Sequence, residues 1–545
     1  MFTKEEYADY KDLCARYKPE CPDNFNFSFD VLDKMDPEKV ALIHVDDAGT
    51  RREFTARFFQ ESSCRLANAL KEKGVKKGDR IMLVLYRRYE YWTVMLALHR
   101  LGALPIPSPS LLTKKDIVER VNYAGISAVI CEDSICERVD QAKPDCPGLK
   151  LFVQIDGQTN DGWFDYEELM ASGDAAFPRT GDSPCGDDPM VIFFSSGTTG
   201  LPKMVLHTFD YPASHFTTGA LWHDLEDGDI HLTLSETGWA KSVWGKFYGQ
   251  WMAGATVFVW DFRGKFEPAE LLRIMADNRI TTFCAPPTVY RFLVREDLTK
   301  YDLSALRHCT TAGELLNDSV FHAWQKAFNM PLYEGYGQTE TTLQVATFKF
   351  MKPKPGSIGK PVPGWDIALL DEEGNQVPQG EEGEICIKID KPVLGLFDSY
   401  MDEPGKTASV KYDGWYHTGD KAWADEDGFF WFMGRTDDLI KSSGYRIGPF
   451  EVESALVAHD AVIEAAVTGL PDEVRGQLVK ATVVLAPGYE GNEKLTKELQ
   501  AFVRELTAPY KYPRVIEYVT DLPKTISGKI KRKEIREADL AKLVN

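Results

Sequence analysis

Four hydroxyl side chains, two glycines and a lysine stand close together at Ser195, Ser196, Gly197, Thr198, Thr199, Gly200 and Lys203. The residues before them, Val191-Ile192-Phe193-Phe194, are apolar enough for a buried strand. A strand feeding such a loop suits a polyphosphate. Glycines let backbone N–H groups turn toward one point, and hydroxyls and an ammonium add donors. The spacing does not fit G-x-x-x-x-G-K-[ST], so this is not the P-loop of that pattern. A second basic concentration, Lys524, Lys529, Lys531, Arg532, Lys533 and Arg536, crowds the C-terminal end. Two other candidates carry less. Asp425-Glu426-Asp427-Gly428 lacks EF-hand spacing and reads as a solvated turn. The 10 cysteines and 10 histidines are scattered, without C-x-x-C or H-E-x-x-H. They predict free, mostly buried thiols in a reducing compartment and no transition-metal site.

The elements that must position these residues alternate. Glu61–Lys73 reads as a helix with Leu66, Ala67 and Leu70 on one face and Gly74 as its stop. Arg80–Tyr86 is nearly all apolar, as a strand covered on both faces would be. Tyr91–Leu101 is a helix ending at Gly102, and Ala128–Cys131 and Leu151–Gln154 are further strands. A second round runs through a strand at Thr256–Trp260, a helix at Glu267–Asn278, a strand at Thr281–Ala285 and a helix at Val289–Glu296. The βαβ rhythm predicts an α/β fold with two parallel-sheet subdomains. After about Gly356 the pattern turns to strand–turn–strand, at Ile367–Leu370, Gly383–Ile389 and Phe429–Met433, which predicts a small antiparallel β barrel over 356–436. A last unit, small and α+β, places a helix at Glu451–Ala458, strands at Ala461–Gly469 and Val479–Leu485, and a helix at Leu495–Leu506.

At 545 residues the chain has room for three or four units at roughly 100–200 residues each. With 43% hydrophobic and 27% charged residues it is too apolar for disorder and too charged for a membrane bundle. No apolar run nears the roughly 18 residues of a spanning helix. The acidic opening, Met1-Phe2-Thr3-Lys4-Glu5-Glu6, is neither a secretory signal nor a mitochondrial leader, so a cytoplasmic protein is expected. A formal charge of −20 argues against a nucleic-acid partner. Residues 438–545 hold 16 basic and 16 acidic residues, so the charge lies entirely in the rest. A neutral C-terminal module beside an acidic body reads as a separate domain, with the division at 436/437.

Ser195–Lys203 resembles the phosphate loop of the adenylate-forming enzymes: acyl-CoA synthetases, luciferases and peptide-synthetase adenylation domains. The other marks of that family follow in order. Glu334-Gly335-Tyr336-Gly337-Gln338-Thr339-Glu340 looks like its adenine and magnesium motif, and Tyr416-His417-Thr418-Gly419-Asp420 like its ribose motif. Gly434-Arg435-Thr436-Asp437-Asp438 through Lys441-Ser442-Ser443-Gly444-Tyr445-Arg446-Ile447 looks like its hinge, and Pro523–Lys529 like its catalytic-lysine loop. Gly434–Glu453 and Ala508–Arg514 are most similar to medium-chain acyl-CoA synthetases.

The resemblance implies ATP, Mg²⁺ and CoA as ligands and a two-step reaction, carboxylate to acyl-AMP and then to thioester. It implies Tyr336 as a stacking surface for adenine, with Gly313, Glu314 and Leu315 along the base. Glu340, a hard oxygen donor, would hold Mg²⁺, and Thr339 would bond the α-phosphate. Asp420 and Arg435 would hold the ribose. Lys529 would offer a compact charge where carboxylate and α-phosphate meet. Asp437 would be the pivot. Ser443, Gly444, Tyr445 and Arg446 would lie along pantetheine, with Arg475 and Arg504 near the CoA nucleotide. No carrier domain follows Lys529, so CoA is the expected acceptor, with loading of a separate carrier protein as the alternative. Acetyl-CoA synthetases close the acyl pocket with a tryptophan where this chain has Gly337. The resemblance thus implies room for a medium-chain, branched or aromatic acid, lined also by Trp239.

Overall fold

A computed structural model of the protein describes residues 2–195, 202–314, 316–443, 445–524 and 530–544. Two parallel sheets form the body, as the alternating pattern predicts. The first orders its strands Leu104–Pro107, Arg80–Val84, Ala128–Glu132, Leu151–Ile155 and Phe164–Asp165, all parallel. Ile81–Val84 is buried throughout because elements cover both faces of the sheet. The helix Glu90–Leu101 packs there with every residue buried. It stops at Gly102, whose φ of +71° is left-handed and open to glycine at little cost.

The second sheet has nine strands. Its parallel core runs Leu332–Tyr336, His308–Ala312, Thr282–Ala285, Ile230–Thr233, Thr256–Asp261 and Val40–Asp46. Sequence pattern starts this sheet near Thr256, but Val40–Asp46 and its antiparallel partner Arg51–Thr55 close one edge. The N-terminal hairpin therefore belongs to the sheet built mostly by later residues. Alternation of apolar residues marks a strand but carries no information about a partner some two hundred residues away.

A third sheet has three strands. Pro189–Ser195 and Lys203–Thr208 form an antiparallel hairpin in which Ser195 faces Lys203, and Ser399–Tyr400 pairs with Lys203–Thr208, the middle strand. The lysine that sequence places in a loop opens the return strand.

The β-rich unit holds Ile367–Leu370, Gly383–Lys388, Trp415–Ala424, Lys411–Tyr412 and Phe430–Arg435, all antiparallel. Ile367–Leu370 and Phe430–Arg435 do not pair with each other among the described residues. The expected barrel is thus an open half-barrel, whose strands are too few and short to close. Beyond it, Ile440–Ser442, Tyr445–Ile447, Val462–Asp472, Gly476–Leu485 and Val515–Val519 make a sheet of their own. Helices Pro449–Val457 and Glu493–Leu506 cover it. Its core, including Ile440, Val452, Leu456, Val467, Val483 and Leu499, contains no residue from the body. Burying each such side chain contributes about 1.5–3 kcal/mol, enough for a module with its own core. No helix among the described residues is long and apolar enough to cross a membrane.

Candidate active site

The strand Leu332–Tyr336 ends where parallel sheets place ligands, beyond the C-terminal ends of their strands. Its last residue, Tyr336, donates its hydroxyl to Asp420 Oδ2 at 2.6 Å. Gln338 Nε2 donates to the same oxygen at 2.6 Å and to the Thr418 carbonyl at 2.9 Å. Tyr416 in turn donates to Gln338 Oε1 at 2.7 Å. Asp420 is buried on the strand Trp415–Ala424, with Arg435 Nη1 at 3.8 Å from its Oδ1. Burial, then the charge of Asp420, pushes the Tyr336 hydroxyl well above its usual pKa, so it stays a donor. The adenine and ribose motifs therefore meet in one hydrogen-bonded cluster.

The other end of the motif carries Thr339 and Glu340. His207 Nε2 lies 2.8 Å from the Thr339 carbonyl, so that nitrogen bears the proton. Burial lowers the His207 pKa to about 3, which keeps the ring neutral. Glu340 is 8% exposed, and no cation pairs with it among the described residues. Its Oε1 accepts from the Tyr400 hydroxyl at 2.8 Å, and Lys203 Nζ donates to that hydroxyl at 3.2 Å. A nearly buried carboxylate with no paired cation is the donor a hard divalent ion would use. Sequence reasoning missed Tyr400, which sits in none of the recognised motifs. Its only signal would have been a tyrosine next to a short strand.

The adenine loop is held from beneath. Glu314 Oε2 accepts from the Thr288 hydroxyl at 2.6 Å, and Lys241 Nζ donates to the Ala312 carbonyl at 2.6 Å. The Leu316 N–H points to Glu334 Oε1 at 3.4 Å. Burial raises the Glu334 pKa well above the carboxylate range. Glu334 therefore braces the chain at Leu316, just after Gly313–Glu314.

Gly335 and Gly337 each give way to a tryptophan. A Cβ on Gly335 would lie 2.6 Å from the Trp222 ring, and one on Gly337 would lie 2.3 Å from both Trp244 Cη2 and the Thr342 carbonyl. The room expected beside Gly337 is therefore filled by Trp244, from the helix Lys241–Lys246. Glycine there marks a close approach and not an empty pocket. Trp239 is half-buried beside Gly238, whose own Cβ would meet the Ser108–Pro109 backbone at 2.4 Å.

Glu384, Cys386 and His417 converge, although scattered in sequence. His417 Nδ1 is 3.1 Å from Glu384 Oε2 and 3.4 Å from Cys386 Sγ, and Glu384 Oε1 accepts the Gly419 N–H at 2.8 Å. His417 Nε2 is buried without a partner. A metal on Nδ1 would leave that nitrogen as an unsatisfied donor, so the trio braces the turn before Asp420. In the acidic turn, Lys354 Nζ sits 2.6 Å from Asp425 and 2.7 Å from Asp427. All ten cysteines are free and most are buried.

In the C-terminal unit, Arg475 Nη1 donates to Ser443 Oγ at 3.0 Å, so two residues expected along CoA do meet. The exposed Tyr445 stacks on Tyr510 at 4.0 Å, and Arg504 lies 4.1 Å over the Tyr512 ring. Lys524 pairs with Glu464 at 2.7 Å. Glu464 and Glu314 both support the charge of Arg291, whose pKa burial lowers. Ser196, Gly197, Thr198, Thr199, Gly200, Leu315, Gly444 and Lys529 lie outside the described residues, as does the side chain of Arg446.

Residues 29–400 match the AMP-binding enzyme family, and residues 451–529 match the AMP-binding enzyme C-terminal domain. The chain is 40% identical to the mouse acyl-coenzyme A synthetase ACSM3, mitochondrial, over 98% of this chain and 94% of that protein. It is 42% identical to human ACSM4, mitochondrial, over 99% and 94%. Among solved structures, an anthranilate CoA ligase, AuaEII, in complex with anthranoyl-AMP superposes with a TM-score of 0.88 at 29% identity, over 96% of this chain and 99% of that one. A benzoate CoA ligase from Burkholderia xenovorans gives 0.81 at 29% identity, over 94% and 100%. The named relatives are mitochondrial, which overturns the expectation of a cytoplasmic protein. The acidic residues 1–6 describe only themselves and do not outweigh full-length similarity.

Proposed function

The chain belongs to the AMP-binding enzyme family, and from that premise we propose that it is an AMP-forming acyl-CoA synthetase acting on a medium-chain, branched or aromatic carboxylic acid. The observation that carries this reading is the loop Tyr336–Glu340. One end is tied to Asp420 for the nucleoside, and the other carries a carboxylate linked through Tyr400 to Lys203 of the phosphate hairpin.

In the first step a carboxylate oxygen attacks the α-phosphorus of ATP and pyrophosphate leaves, giving acyl-AMP. The side chains supply position and charge rather than a nucleophile. Asp420 and Arg435 hold the ribose, the loop at Gly313–Glu314 runs along the base, and Thr339 with Lys529 offers donors to the α-phosphate. Glu340 would hold Mg²⁺, which would neutralise phosphate charge. In the second step the CoA thiol attacks the acyl carbon and AMP leaves. Residues 437–545 form the mobile domain in this reading, and 1–436 the body. The neutral, lysine-tipped domain then turns over the anionic ligand without repulsion from the acidic body. Ser443, Tyr445, Arg475 and Arg504 lie on the CoA side. Relatives named as acyl-coenzyme A synthetases favour CoA over a carrier protein.

The test is CoA-dependent AMP release across a panel of acids, with ATP–pyrophosphate exchange scored separately. Lys529→Ala should cost about 10²–10³ in exchange and leave thioester formation from supplied acyl-AMP largely intact. Equal loss of both half-reactions would remove Lys529 from the adenylation step, and no AMP release with any acid would defeat the reading.

A further inference from the structure

Lys203 and Glu340 are bridged by the Tyr400 hydroxyl. The hydroxyl accepts from Lys203 Nζ at 3.2 Å and donates to Glu340 Oε1 at 2.8 Å. The Lys203 ammonium also lies 4.7 Å from the centre of the Tyr400 ring. A lysine and a glutamate this near one another would ordinarily collapse into an ion pair, each cancelling the charge the other needs for a ligand. They form no direct pair among the described residues, because the phenol stands between them and satisfies both.

Tyr400 is held rigidly enough for that role. It is 2% exposed and pairs in register with Val205 of the phosphate hairpin. Its N–H donates to Thr407 Oγ1 at 3.0 Å, and its ring packs 4.9 Å from Phe397. The N–H of Phe397 donates to the Glu340 carbonyl at 2.7 Å. One short segment, 397–400, therefore grips the phosphate hairpin with one side and the carboxylate of Glu340 with the other.

We propose that Tyr400 is a positioning residue for adenylation. It spaces Lys203 from Glu340, fixes one carboxylate oxygen, and leaves the other oxygen and the ammonium turned to a cation-bound polyphosphate. This rests on the ATP-using reading above. It assigns Tyr400 to the first half-reaction alone, since none of its contacts among the described residues reaches the C-terminal domain.

Tyr400→Phe removes the hydroxyl and keeps the ring. Equilibrium binding of Mn²⁺ with ATP, read by paramagnetic resonance without turnover, should weaken about tenfold, the size of one hydrogen bond to a charged group. ATP–pyrophosphate exchange should lose about ten- to hundredfold in kcat, with the KM for the acid near that of the parent. Thioester formation from supplied acyl-AMP should be unchanged. Lys203→Met combined with Tyr400→Phe should cost less than the sum of the single losses. Unchanged Mn²⁺ binding, strict additivity, or equal loss in both half-reactions with a lowered Tm would each overturn the proposal. A parent enzyme without exchange on any acid would instead defeat the functional reading, and the Mn²⁺ measurement would still judge Tyr400.

Discussion

Asp437 and Asp438 are neighbours in sequence and pair in opposite directions. Asp437 Oδ1 lies 3.4 Å from Arg435 Nε, back toward Asp420, whereas Asp438 Oδ1 lies 2.5 Å from Arg536 Nη1 in the C-terminal helix. Arg532 also approaches Asp438, at 3.9 Å. One carboxylate pairs back toward the body and the next toward the small module, an arrangement the proposed pivot at Asp437 would use.

Asp437→Pro should therefore keep ATP–pyrophosphate exchange and lose thioester formation steeply, because a fixed φ blocks rotation. Single-turnover assays of each half-reaction check this. Normal overall turnover in the variant would move the pivot elsewhere.

Gly337 and Trp244 set the second expectation. Gly337→Trp cannot be built without expelling Trp244, and even Gly337→Ala meets two atoms at 2.3 Å. Overpacking of this kind costs about 1–3 kcal/mol. Gly337→Ala should lower both Tm and exchange activity. Trp244→Ala should shift kcat/KM toward bulkier or longer acids by about tenfold or more, since each added buried methylene contributes about 0.8 kcal/mol. The comparison is butyrate, octanoate and benzoate in parent and variant. An unchanged acid profile in Trp244→Ala would place the acyl pocket away from Gly337.

Acid should unfold the body through its histidines. Burial lowers His99, His207 and His231 to about 3 and His308 to about 4, and holds His215 and His223 well below 6.5. These rings are neutral when folded but take a proton near 6.5 when unfolded. Below pH 6.5 the unfolded chain binds more protons, so stability falls with pH until the folded values near 3–4 are reached. Each ring contributes a slope approaching about 1.4 kcal/mol per pH unit. Urea midpoints should be flat from pH 7 to 8 and fall clearly by pH 5. A midpoint at pH 5 equal to that at pH 7 would show that these histidines protonate without cost.

Sequence alone determined the order of the chemistry. The loop at Ser195–Lys203, the motifs at Glu334–Glu340 and Tyr416–Asp420, and the charge-neutral C-terminal unit were all legible. They are contiguous stretches in which residue type and spacing carry the meaning. The parallel sheets were legible for the same reason, since a strand buried on both faces must be apolar throughout. Tertiary structure alone decided what depends on partners distant in sequence. Tyr400 is meaningful only because a two-residue strand lays it against the phosphate hairpin. Trp244 is meaningful only because Gly337 lets an indole from another helix approach. Likewise the strand Val40–Asp46 pairs with Thr256–Asp261, about two hundred residues on. Local propensity and motif spacing fix what a segment can do. Packing, which acts through space regardless of chain distance, fixes what it does beside its neighbours.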